Sequence, residues 1–119
     1  MTLKEVPPAD SKPKTPPILE ISLSHLEDRT LVVLAGELDD STAPALRAEL
    51  LAATEHIRGD FVLDIGMLTF LDSTGLGLLV SLHKKIQALG SKLVIFAPTQ
   101  MARRAFEITG LTEVLNMQP

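Results

Sequence analysis

One stretch, Phe61 to Leu89, constrains the chain more than any other, and at its centre lie Asp72, Ser73, Thr74, Gly75, Leu76 and Gly77. Phe61 to Ile65 is a short apolar run with a single carboxylate at Asp64, the length and composition of a buried strand. Leu79, Leu82, His83, Ile86 and Leu89 then recur at helical spacing, with Ser81, Lys84, Lys85 and Ala88 on the other side and Gly90 as terminator. Strand, acidic hydroxyl-bearing turn and helix follow one another. Asp72, Ser73 or Thr74 caps the helix, and its free N–H groups and dipole favour negative charge at that end. A phosphate on Ser73 or Thr74 would be tolerated there and would change what the surface binds.

The remaining segments arrange themselves around this unit. Ile18 to Ser24 alternates as a half-buried strand, Glu27, Asp28 and Arg29 form a polar turn, and Thr30 to Ala35 is a second strand that closes a hairpin. Asp40, Ser41 or Thr42 caps a helix with apolar positions Leu46, Leu50, Ala53 and Ile57, Pro44 falls in its first turn and Gly59 ends it. Lys92 to Ala97 is a further strand. Pro98 and Thr99 start a helix whose inner face is Ala102, Ala105, Phe106 and Thr109, Gly110 is a left-handed cap, and Glu113 to Met117 adds an edge strand. The order β-β-α-β-α-β-α-β predicts an α/β fold of four to five strands, mostly parallel, behind one antiparallel edge strand.

Such a topology brings strand ends together. If the strands at Thr30 and Phe61 are parallel neighbours, Asp39 and Asp40 approach Asp72 and Ser73 and form an acidic rim at the carboxyl ends, where sites in these sheets gather. Beside it, Leu76 and Val80 share a helical row with Lys84 and Gln87. That row places them towards the polar side, as ordinary peripheral packing or as a small apolar patch that a partner covers.

Composition removes several functions. The chain has 119 residues, 45% of them apolar, which suits one domain with its own core. It has no cysteine, so thiol catalysis, disulfides and zinc–thiolate sites are excluded, in keeping with a cytoplasmic location. His25, His56 and His83 show no paired metal-ligand spacing. Net charge is −4; residues 1–17 contribute three lysines against two carboxylates, +1, which leaves −5 on the rest. An acidic domain whose only aromatic residues are four phenylalanines lacks the basic stripe and stacking platforms of a nucleic-acid binder. Residues 1–17 carry Pro7, Pro8, Pro13, Pro16 and Pro17 and read as a disordered arm. No stretch reaches the apolar length of a membrane span.

Enzyme motifs fail on spacing. Gly75 and Gly77 begin a G-x-G, but Val80 stands where a dinucleotide fingerprint needs glycine, and no G-K-[ST] follows a glycine-rich turn. Ser73 is flanked by Leu71 and Gly75 and is not in G-x-S-x-G. An acid dyad at Asp39 and Asp72 is the one catalytic arrangement the spacing leaves open.

Gly36-Glu37-Leu38-Asp39, Val62-Leu63-Asp64-Ile65, Phe70-Leu71-Asp72-Ser73-Thr74-Gly75-Leu76-Gly77 and the Phe106 to Leu111 stretch together resemble the STAS domains of bacterial anti-sigma factor antagonists. The resemblance covers residues 18–117. It implies a single non-enzymatic STAS domain, without metal or cofactor, that binds an anti-sigma factor and so frees a sigma factor. It also implies that the anti-sigma factor is a serine kinase acting on Ser73 and that a serine phosphatase reverses the reaction. The domain is expected to be a monomer or weak dimer. The contact residues expected are Asp39, Asp40, Asp72, Thr74, Gly75, Leu76 and Val80. Gly66 and Met67 depart from the polar residue often found after that strand. An accessory subunit of a membrane transport system is the alternative the same resemblance allows.

Overall fold

The computed structural model describes residues 18–118, so the proline-rich arm lies outside the described residues. Five strands, β1 (Leu19–His25), β2 (Arg29–Leu38), β3 (Asp60–Leu71), β4 (Leu93–Phe96) and β5 (Asn116–Gln118), form one sheet in sequential order. β1 pairs antiparallel with β2, and every later pair is parallel. Three helices serve as crossovers: α1 (Ala43–Ala53), α2 (Ser73–Ala88) and α3 (Gln100–Thr109). The α/β class and the element order agree with the pattern of the sequence.

Sequential order with right-handed crossovers puts all three helices on one face of the sheet, and burial follows that division. Val32 and Leu34 of β2, Phe61, Leu63 and Ile65 of β3, and Leu93 and Ile95 of β4 are fully buried against Leu46, Leu50, Leu79, Ile86, Ala102 and Phe106 of the helices. Their alternate neighbours Leu31, Val33 and Val62 are half-buried on the opposite face.

Several boundaries differ from the sequence pattern. β3 runs to Leu71 instead of stopping at Ile65, because register shifts between Val33 and Ala35 and between Gly36 and Glu37 carry the pairing past Gly66. α1 ends at Ala53 and continues as a 3₁₀ turn, so Ile57 packs on the core from outside the helix, and Gly59 leads into β3 instead of terminating α1. Glu113 belongs to a 3₁₀ turn over Leu111–Glu113, and the edge strand begins at Asn116. Gly110 does take the left-handed cap conformation, φ 78°.

On α2, Leu89 is exposed and Leu76 and Leu78 are buried, contrary to the single apolar stripe expected. The helix is covered on two sides, by the sheet and by α1, so its buried arc is wider than one row. Leu76 therefore belongs to the core and not to an outward patch, while Val80 is half-buried.

Candidate functional site

At the carboxyl ends of β2 and β3 the ladder is extended by a backbone bond from the Asp72 N–H to the Leu38 carbonyl at 3.2 Å. From there Asp72 divides its carboxylate between two elements. Oδ1 accepts the Gly75 N–H at 2.9 Å and caps α2, and Oδ2 accepts the Asp40 N–H at 3.2 Å from the loop before α1. Of the three possible caps, Asp72 is the one used. Ser73 and Thr74, which follow the cap, are exposed.

The neighbouring loop is built by Asp39. Its Oδ1 accepts the Ser41 N–H at 2.9 Å, the Ser41 hydroxyl at 2.7 Å and the Thr42 N–H at 3.1 Å. The Ser41 hydroxyl bond chiefly holds this carboxyl below the usual carboxylate range, with the Ser41 and Thr42 N–H groups adding to it and partial desolvation opposing. Thr42 occupies the cap position of α1, but its hydroxyl makes no cap bond and donates to the Glu37 carbonyl at 2.9 Å. Asp39 is thus the organiser of the turn before α1, and Asp40, Ser41 and Thr42 do not cap the helix through their side chains.

Asp40, Asp72, Ser73 and Thr74 meet at this rim as the topology required. Gly75 and Leu76, counted among the contact residues, do not reach its surface: both are buried. A Cβ on Gly75 would lie 2.8 Å from both Leu38 Cγ and Leu71 Cδ1, so glycine is there to let α2 approach the two strands. Met67 and Phe70 are 60% and 47% exposed on the second half of β3, beyond the strand end at Ile65 that the sequence pattern gave.

At the opposite end of the sheet the His25 and His56 rings meet edge to face, centroids 6.2 Å apart, although 30 residues separate them in the chain. Among the described residues no group of three metal-ligating side chains converges.

A single sheet backed on one face by its crossover helices, with a hydroxyl displayed beside a capping aspartate, is the architecture of a STAS domain. The STAS domain model matches residues 20–119, and the chain belongs to that family. The anti-sigma-B factor antagonist of Listeria monocytogenes is 33% identical over 103 residues, 85% of each chain. That of Bacillus subtilis is 29% identical over 99 residues, covering 83% of this chain and 90% of its own. Among solved structures, an anti-sigma factor antagonist from Mycobacterium paratuberculosis superposes with a TM-score of 0.78 at 26% identity, over 85% of this chain and 86% of its own.

Proposed function

We propose that this chain is an anti-sigma factor antagonist whose unphosphorylated form binds an anti-sigma factor that is also a serine kinase, releasing a sigma factor. Phosphorylation of Ser73 switches the binding off, and a serine phosphatase restores it. The observation that carries the reading is the division of labour at the start of α2: Asp72 takes the cap, which leaves the adjacent Ser73 exposed and available to a kinase. The names of the relatives point the same way.

The physics of the switch follows from charge. A phosphate adds roughly −1.5 to −2 charges and three acceptor oxygens. It arrives on a rim already holding Asp72 and Asp40, so a partner fitted to the neutral hydroxyl must bury a new charge without a counterion. A loss of about 1.4 kcal/mol for each tenfold in affinity is easily reached in this way. The positive end of α2 offsets part of the repulsion within the domain itself, so the fold survives.

The test is a pull-down with immobilised Ser73→Ala and Ser73→Glu proteins, read by mass spectrometry. A kinase retained by the alanine form and lost by the glutamate form supports the reading; retention by neither form or by both defeats it. Phosphopeptide mapping after incubation with that kinase and ATP should place the group on Ser73. Modification of Thr74 with Ser73 untouched would shift the switch to the wrong residue.

A further inference from the structure

Between α1 and α2 runs a groove that begins at the rim and has no occupant within the described residues. Its open end, about 420 Å³, lies among Asp40, Thr74 and Gly77. It continues through Arg47, Leu78 and Ser81 into a narrower hollow of about 130 Å³ bounded by Leu50, Leu51 and Lys85. Three properties of this groove are unusual for an ordinary surface.

The first is Gly77. Glycine in a helix destabilises it relative to alanine, yet a Cβ at this position would meet nothing within 4 Å. Gly75, two residues earlier, is required by the packing of Leu38 and Leu71; no described residue requires glycine at 77. The side chain missing at Gly77 leaves the wall of the groove low at that point. The second is charge. On a chain of net charge −4 the length of the groove presents two cations, Arg47 and Lys85, both exposed, and its one carboxylate, Asp40, stands at the mouth. The third is apolar relief: Leu50 and Leu78 form a buried floor, and Leu51 remains 44% exposed at the wall.

We propose that this groove seats an acidic amphipathic helix of the anti-sigma factor, an assignment that rests on the antagonist reading above. Leucine-sized side chains at i and i+4 fill the floor, carboxylates beside them pair with Arg47 and Lys85, and Gly77 lets the partner backbone come close. α1 has 11 residues, about 16 Å at the helical rise, so the seated helix has about three turns. Because the groove opens at Thr74, its occupant adjoins the Ser73 hydroxyl, and one docking event presents that hydroxyl to the kinase.

The probe is the kinase recovered on immobilised Ser73→Ala protein, purified and confirmed by its ATP-dependent phosphorylation of Ser73 in the parent chain. Gly77→Gln and Arg47→Glu are titrated against it by calorimetry, beside thermal melts of each variant. The expected result is a melting midpoint at or above the parent's for Gly77→Gln, with affinity reduced at least tenfold for both variants and near parental for Arg47→Lys. Binding of Gly77→Gln and Arg47→Glu within twofold of the parent overturns the groove assignment while the antagonist reading stands. If sedimentation shows that the chain dimerises and Arg47→Glu dissolves the dimer with kinase affinity unchanged, the occupant is a second copy and the proposal is wrong. A parent chain that no kinase phosphorylates defeats the antagonist reading and the groove assignment together.

Discussion

Asp72 holds two things at once, the first turn of α2 through Gly75 and the loop before α1 through Asp40. Replacing it with alanine removes both bonds, and a lost aspartate cap alone typically costs about 1–2 kcal/mol. Asp72→Ala should therefore lower the urea midpoint clearly, with Ser73 losing its position even in molecules that remain folded. An unchanged midpoint would mean that water replaces both bonds at no cost. Asp39 makes a different kind of prediction, because its carboxyl is held below its ordinary range by the Ser41 hydroxyl and the Ser41 and Thr42 N–H groups. A carboxyl whose folded value lies below its unfolded one contributes fully above the unfolded value and loses that contribution as pH falls through the folded value. The stability gap between the parent and Asp39→Ala should accordingly be widest at neutral pH and narrow below about pH 4. Denaturant melts of the two proteins at pH 7 and pH 3 measure it, and a gap equal at both would show that the charge is immaterial. In the sequence Asp39 reads equally as a cap for the following helix or as a partner contact, because its position after a strand suits both. The structure shows its carboxylate organising the turn, with the Asp40 N–H directed to Asp72 and the Ser41 hydroxyl donating to Asp39.

Among the elements, β3 and α2 show where local pattern is informative and where it stops. The start of α2 was legible because capping is a local affair of three residues, and the same holds for Thr99 and Gly110 at the two ends of α3. The second half of β3 was not, because strict alternation breaks at Gly66 and Thr69, where bulges reset which face each residue takes. The inner face of α2 was read one row too narrow, since periodicity in a single helix cannot show that a neighbouring helix covers a second flank. Gly75 looked like part of a binding loop for the same reason. A methyl group there must displace Leu38 and Leu71, both of them buried core side chains. Gly75→Ala should thus destabilise by about 1–3 kcal/mol despite alanine's better helix propensity. Equilibrium unfolding in urea decides it: a variant as stable as the parent would show that α2 shifts outward freely.

At the scale of the whole sheet the governing fact is that, among the described residues, the helices back only one face. On the other face Met67, Phe70 and Phe96 are 60%, 47% and 42% exposed, and Leu31, Val33 and Val62 are half-buried. Exposed apolar area on this scale favours association. Pairing registers place Glu37 opposite Phe70 and Asp64 opposite Phe96, so carboxylates are interleaved with the largest apolar groups. At neutral pH two such faces would bring like charges together on chains that each carry −4, and the chain should sediment as a monomer. As pH falls towards the isoelectric point near 5.3, net repulsion vanishes while the apolar area is unchanged. Concentration-dependent self-association should then appear. Phe70→Glu removes an apolar anchor and adds a charge at an exposed site, so it should abolish the association, with a small drop in melting midpoint because Glu37 lies directly opposite. Sedimentation velocity at pH 7.5 and pH 5.3, for the parent and for Phe70→Glu, separates the outcomes. If both proteins associate alike at pH 5.3, the contact runs through a surface other than the bare face of the sheet.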